Sequence, residues 1–389
     1  MSSWSSAIGR LPATLAMMTL AGVIGSVLAC SGDRSSGAIT GPPAGMPGCT
    51  GNALLSRSPV ALSALQEIDP LGNLNPPGHV FPSDHIYFYQ ASGASFTPVV
   101  SPGEITITQV GLQTMTTGAA TTSDYVIRFF PCADVMLYFY HLAALSPELK
   151  AQVGAITGGC NPSYVIGSTT YQQCYKEVSI ALSAGAAVGT MGASGAIDLG
   201  AIDRRVPSLA YVNPGRTQGA TGEFTANKTV CPIDYFTTDA ATAMRALLGA
   251  RNFKRVVAPV CGEVMQDVAG TAQGRWYFDN SDAEGAHLAL VHDNADATLG
   301  AFSVGTSIAS LPVGVYTFRP VLSGRLNADF SRVMADGNVY CYEVTSPSPQ
   351  RIYVRMPDAS TLQIGASPGS SCGAQATWNA ALAATTFKR

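Results

Sequence analysis

Two imidazoles and a carboxylate share one short stretch, Gly78-His79-Val80-Phe81-Pro82-Ser83-Asp84-His85, just ahead of the aromatic run Ile86-Tyr87-Phe88-Tyr89. Histidine nitrogen and aspartate oxygen are ordinary zinc ligands, and a further ligand from elsewhere would complete a site with one open position. A cation held that way activates water for attack on an amide. His141 follows the run Met136-Leu137-Tyr138-Phe139-Tyr140, and a strand paired with the first would carry it to the same place. The remaining histidines, His287 and His292, lie five apart on a run that reads as strand. They face opposite sides and cannot chelate as a pair.

Simpler readings stand beside these. His79 after Pro76-Pro77-Gly78 closes a turn, Asp84 caps it, and His141 is a hydrogen-bonded residue at the edge of a core. Gly365-Ala366-Ser367-Pro368-Gly369 matches the nucleophile-elbow pattern, which needs a helix after it and a later acid and histidine. Ser370-Ser371-Cys372 follows instead and no histidine lies beyond His292, so the segment reads as a turn. Asp293, Asn294 and Asp296 read as a polar turn rather than a calcium loop. The stretch 261–274, with Glu263 and Asp267, reads as a turn pinned by Cys261.

The elements that must position these residues are mostly strands. Aromatic or β-branched runs at 85–89, 105–108, 125–130, 135–140 and 177–182 are bounded by Pro, Gly and Asp. A short helix is expected from Ser146-Pro147-Glu148, with Ser as cap and Pro in the first turn, ending before Gly154. A second is expected over 239–248 with Gly249 as its stop. Past Arg255 short β runs recur at the spacing of a sandwich or barrel.

Residues 136–154, MLYFYHLAALSPELKAQVG, resemble the segment of lysostaphin-like (LytM-type) zinc endopeptidases in which a strand ends in a histidine motif. Residues 183–195, SAGAAVGTMGASG, are similar to that family's next segment, a Gly-rich hairpin. His79 and Asp84 resemble its first metal-ligand pair, so the resemblance covers roughly residues 65–205. It implies an antiparallel β-roll, one zinc and cleavage of peptidoglycan peptide bridges, with His141 as a catalytic imidazole. The chain departs from the pattern in two places. Four residues separate His79 from Asp84 where the family has three, and the family's His-x-His falls on Asp198-Leu199-Gly200. Asp198 or His85 would have to serve as replacement ligands, and Gly200 offers none. A zinc site short of a ligand and a base loses affinity and rate.

The first residues carry an address. Arg10 is the only charge before an uncharged stretch that ends in Val27-Leu28-Ala29-Cys30, which resembles a lipobox with Cys30 as the lipidated residue. Gly, Pro and Ser then dominate to Gly48, as in a flexible tether. The other eight cysteines, an even number, suit four disulfides in an oxidising compartment. Proximity suggests Cys160–Cys174, Cys231–Cys261 and Cys341–Cys372, leaving Cys49 with Cys132, although spacing alone fixes no connectivity.

The chain of 389 residues is 47% hydrophobic and 12% charged, with a formal net charge of -3. That is apolar enough for a real core, and it has no basic patch larger than Arg204-Arg205 to attract nucleic acid. The resulting expectation is mainly β. A signal peptide (1–29) and tether (30–50) precede an antiparallel β-roll domain (51–250) and a smaller all-β sandwich or barrel (251–389). The expected protein is an exported envelope lipoprotein, periplasmic or on the cell surface, touching the membrane only through its lipid. It would bind cell-wall peptide or glycan without cutting it and need no cofactor. The alternatives are an active zinc endopeptidase and a purely structural assembly protein.

Overall fold

The computed structural model describes residues 41–91, 96–166, 168–192, 195–216, 223–281, 283–345, 347–373, 377–378 and 382–389. The lipobox, Cys30 and most of the tether lie outside them. The fold is mainly β, and the strands fall into antiparallel sheets.

The first part holds β1 (Leu65–Asp69), β2 (His85–Gln90), β3 (Pro98–Val100), β4 (Ile105–Thr117), β5 (Ala120–Cys132) and β6 (Val135–Leu145). After α1 (Pro147–Val153) come β7 (Tyr164–Ile166), β8 (Thr169–Leu182), β9 (Ala187–Met191), β10 (Ala196–Asp203) and β11 (Thr229–Val230). They form one eleven-stranded sheet in the order β1-β2-β10-β6-β5-β4-β8-β7, with β11 beside β10 and β9 bridging β3 and β6. Strands β4 and β5 are much longer than the apolar runs that mark them. Their distal halves, such as Gln113-Thr114-Met115-Thr116-Thr117, are mostly polar and held by the ladder and by cross-strand side-chain bonds.

Alternation along the strands gives this sheet two different faces. Ile86 and Phe88 of β2, Leu137 and Phe139 of β6, and Ile197 and Leu199 of β10 point into one large core. Each such side chain contributes about 1.5–3 kcal/mol on burial, so this face holds the sheet together. The helix α2 (Thr238–Arg245) packs Ala241 and Met244 into the same core. It stops short of the expected 248 because Leu247 and Leu248 tighten back onto Met244 and Arg245, and Ile68 then bridges to Leu248. Helix α1 begins as expected, with Ser146 Oγ accepting from the Leu149 N–H.

Beyond the short pair β12 (Gly249–Ala250) and β13 (Phe253–Lys254) come two four-stranded sheets. One is β14 (Gly274–Trp276), β15 (Leu288–His292), β16 (Gly300–Val304) and β17 (Gly314–Phe318). The other is β18 (Tyr340–Val344), β19 (Gln350–Asp358), β20 (Thr361–Pro368) and β21 (Thr385–Lys388). They share one core, in which the rings of Phe302, Phe318, Phe330 and Tyr342 lie 4.7–5.7 Å apart. The segment 365–369 is a correction to the sequence reading: Gly365 to Pro368 belong to strand β20 rather than to a turn, because residues 361–364 pair with β21 and the whole strand pairs with β19. Among the described residues the disulfides are Cys49–Cys132, Cys160–Cys174, Cys231–Cys261 and Cys341–Cys372.

The two parts meet through specific polar contacts. Asn294 donates to Asp69 Oδ1 at 2.6 Å and to the Pro70 carbonyl, and Arg255 donates to the Asn294 carbonyl. Phe81 stacks on His287, and its N–H donates to Glu284.

Candidate functional site

The sheet's second face carries the chemistry. Directly paired residues of antiparallel strands point to the same side. Pairing therefore lines up Asp69 with Tyr87, Tyr87 with Asp198, Asp198 with Tyr140, Glu67 with Tyr89, His85 with Gly200, and Gly200 with Tyr138. The row continues through Arg128 and Asp124 of β5 and Gln109 and Gln113 of β4. Arg128 donates to Gln109 and lies over the Tyr175 ring, and Gln173 donates to Gln113. A polar stripe thus crosses the sheet behind an apolar core.

His141 reaches this face through a bulge. The apolar run in the sequence places the strand's end at Tyr140, but β6 continues to Leu145 with His141 at a φ of 66°. Three residue intervals of β6, from Phe139 to Leu142, oppose two of β5, from Ile127 to Tyr125. A one-residue slip exchanges the faces of a strand. Leu142 therefore enters the core, and the His141 imidazole turns toward Asp124. The left-handed backbone at a non-glycine residue costs about 1 kcal/mol or more, which the flanking ladder sustains.

The result is an alternating chain of carboxylates and imidazoles. Asp84 Oδ1 meets His85 Nδ1 at 2.8 Å, and His85 Nε2 lies 2.9 Å from the Tyr87 hydroxyl and 3.3 Å from Asp198 Oδ2. His141 Nε2 approaches the same Asp198 oxygen at 3.7 Å, and its Nδ1 meets Asp124 Oδ2 at 2.5 Å. Asp198 is fully buried, and His85 and His141 nearly so. Burial works against a charge on His85, but Asp198 and Asp84 outweigh it and raise its pKa. Burial also opposes ionisation of Asp84. The His85 hydrogen bond and charge and the Tyr138 hydroxyl, at 3.0 Å, prevail and lower its pKa to about 2.

His79 stands at the edge of this chain, its ring 5.3 Å from that of His85 and edge-on to it. Its Nε2 is buried with no hydrogen-bond partner among the described residues. Burial, with the charges of His85 and His141 adding to it, lowers its pKa to about 3 and keeps it neutral.

His79, Asp84, His85, His141 and Asp198 are therefore neighbours, although the strands of His85 and His141 do not pair directly as expected: β10 lies between β2 and β6. The ligand roles drawn from the resemblance fit less well. Asp84 Oδ1 is engaged by His85 and Tyr138, and the Gly200 position has no room for a side chain, since a Cβ there would collide with the Tyr138 ring. The Gly-rich 183–195 segment is also not one hairpin: β9 pairs with β3 and β6, whereas β10 pairs with β2 and β6. Among the described residues no group of three or more His, Cys, Asp or Glu side chains is assembled to hold a metal ion.

Four tyrosines, Tyr87, Tyr89, Tyr138 and Tyr140, stand on this face and are mostly closed in. Tyr87, Tyr138 and Tyr140 are buried, and Tyr89 alone of the four is partly exposed. Beside Tyr89 a cavity of about 180 Å³ opens between Glu67, Asp69, Asn73, Leu74, Asn75, Ala250 and Arg251. Glu67 accepts from the backbone of Arg251 at 3.2 Å, and the Arg251 guanidinium grips both oxygens of Asp293. Burial raises the Asp69 pKa to about 7 against the Asn294 hydrogen bond and the Arg251 charge.

Sequence reading missed Asp124, Glu67, Asp69 and Asn73. Asp124 precedes the apolar run at 125 and becomes visible only once the β4–β5 register is known. Glu67 and Asp69 alternate with Ile68 on β1, a period-2 signal that was present but short. Of the described residues outside this sheet, Asp293 caps the following turn as expected, accepting from the Ala295 and Asp296 N–H groups. His287 and His292 serve separate partners, Phe278 N–H and Asp329. No helix among the described residues is long and apolar enough to cross a membrane. No protein-family model matches this chain, and no curated protein matches it.

Proposed function

We propose that the chain is an exported envelope lipoprotein that binds cell-wall material through its peptide part, without cutting it, at the open end of the sheet's polar face. The observation that carries this reading is the cavity beside Tyr89, a concave site in which the side-chain amides of Asn73 and Asn75 and the Tyr89 hydroxyl bond to no described residue. The imidazole cluster next to it supports binding without cleavage. Both nitrogens of His85 are engaged, His141 lies between two carboxylates, and neither ring faces solvent as a general base would. Four disulfides fit export to an oxidising compartment. The expected result is that the purified protein co-sediments with peptidoglycan, that Asn73→Ala weakens retention at least about fivefold, and that no soluble fragments appear. Retention equal to that of an unrelated exported protein sinks the reading.

One observation favours a second reading, a zinc-dependent endopeptidase of the lysostaphin-like kind. The Nε2 atoms of His85 and His141 approach a single oxygen of Asp198 at 3.3 and 3.7 Å. Ligand atoms about 2.0–2.1 Å from a tetrahedral zinc stand roughly 3.3 Å apart. The outer nitrogens of both rings are held by Asp84 and Asp124, the arrangement that orients metal-bound imidazoles. A cation there would supply an activated water. The protein's own groups would hold the two rings in place, with the buried faces of Tyr138 and Tyr140 excluding bulk water. Elemental analysis decides: about one zinc per chain, absent in Asp198→Asn, supports this reading. A metal-free protein unchanged by added zinc removes it.

A further inference from the structure

Resting on the binding reading above, we propose that the Glu67–Asp69–Asn73–Tyr89 cavity is a subsite for a primary ammonium group, the free amine of a peptide. Four observations converge on that ligand chemistry.

The first is unused hydrogen-bonding capacity. Asn73 is 8% exposed and lines the cavity, and its side-chain amide is hydrogen-bonded to nothing among the described residues. The side chain of Asn75 and the hydroxyl of Tyr89 line the same space and likewise bond to no described residue. An amide that lines the cavity without a protein partner is free to bond a ligand placed there.

The second is the sign of the charge. Glu67 and Asp69 stand on the same face of β1, two residues apart, and both line the cavity. Arg251, the cation of the lining, is neutralised by its two-pronged bond to Asp293. The excess is negative, so carboxylates and phosphates are repelled and a cation is drawn in.

The third is the balance of donors and acceptors. The carboxylates of Glu67 and Asp69 and the amide oxygens of Asn73 and Asn75 are acceptors. An ammonium is three donors with no acceptor, so it can bond the carboxylate and amide oxygens of this lining. The exposed part of the Tyr89 ring adds an aromatic face to the wall, and the ring's quadrupole attracts a cation placed over it.

The fourth is size. A cavity of about 180 Å³ has room for a small head group such as an amine, with the rest of the ligand lying outside.

The test uses the whole exported chain, with glycylglycinamide and its N-acetyl form as probes and N-acetylglucosamine as a third arm, followed by calorimetry at pH 8. The free amine is expected to bind, and acetylation or Glu67→Gln is expected to weaken it at least tenfold. Glu67→Gln preserves an acceptor for the Arg251 N–H, so its folding is checked by an unchanged melting temperature. Glu104→Gln, an exposed residue outside the cavity lining, is expected to leave probe affinity unchanged. Equal binding of the acetylated probe, binding of the sugar alone, or binding of none overturns the inference. Retention on peptidoglycan without amine binding overturns this subsite alone; amine binding without retention overturns the wider reading alone.

Discussion

Replacing His79 by phenylalanine is expected to make the protein markedly less sensitive to acid. In the unfolded chain the imidazole takes a proton near pH 6.5; in the folded one it does so only near pH 3, because it is buried and then because His85 and His141 carry like charge beside it. Between those values the unfolded state binds the extra proton. The stability His79 allows is therefore fully present above pH 6.5 and drains away as pH falls toward 3. At about 1.4 kcal/mol for each pH unit between the two values, the whole interval amounts to an effect of about 5 kcal/mol. Its neighbours do not mask this. The raised pKa of His85 means its contribution is complete below pH 6.5 and is lost only as pH rises. Asp84, lowered to about 2, loses its contribution only below pH 3.8. Phenylalanine keeps a ring against His85 and has no proton to take up. Urea unfolding at pH 7 and pH 4.5 checks the claim: the parent should lose about 2–3 kcal/mol more than His79→Phe between the two. Parallel losses would mean that His79 is not held neutral.

Asp69→Asn should tilt the same profile the other way. The Asp69 carboxyl is raised from 3.8 to about 7, principally by burial, with Glu67 and Asp293 adding to the rise and the Asn294 bond and Arg251 working against it. Over that interval the folded state keeps a proton that the unfolded state has released. Stability is thus greatest below pH 3.8, falls as pH rises to 7, and stays low above it. An amide in place of the carboxyl never ionises, and its oxygen still accepts from Asn294. The variant should be more stable than the parent by about 3–4 kcal/mol at pH 8 and indistinguishable from it near pH 4. No gain at pH 8 would show that Asp69 ionises freely in the folded protein. In the parent the two slopes oppose each other between pH 3.8 and 6.5, so a flat parental curve flanked by two oppositely tilted variants is the combined signature.

Both groups belong to one physical arrangement. The polar face of the sheet is buried without being apolar, so each titratable side chain there either finds a partner or remains neutral. One oxygen of Asp198 lies against two imidazoles and one oxygen of Asp124 against a single imidazole. His79 and Asp69 sit at the margins of the network, where partners are fewer, and they carry the largest departures toward neutrality. The margin at Asp69 is also where the cavity opens.

The residues themselves determined a good deal. Strand runs with period two, the Ser146-Pro147 start of α1 and the even cysteine count each express a local rule, and local rules need no knowledge of distant neighbours. The closeness of the 79–85 segment to His141 was also legible, since aromatic strands on a shared sheet bring their ends together. Tertiary structure alone decided which face each residue occupies. The bulge at His141 exchanges Leu142 and the imidazole between core and polar face, and nothing in the local sequence marks where the slip falls. It also decided that Asp198, read from the sequence as a replacement ligand, lies at the centre of the cluster, because β10 is inserted between β2 and β6 rather than folded back on β9. Register and strand order arise from pairings far apart in the chain, so the side chains they bring together carry no sequence signature of their own.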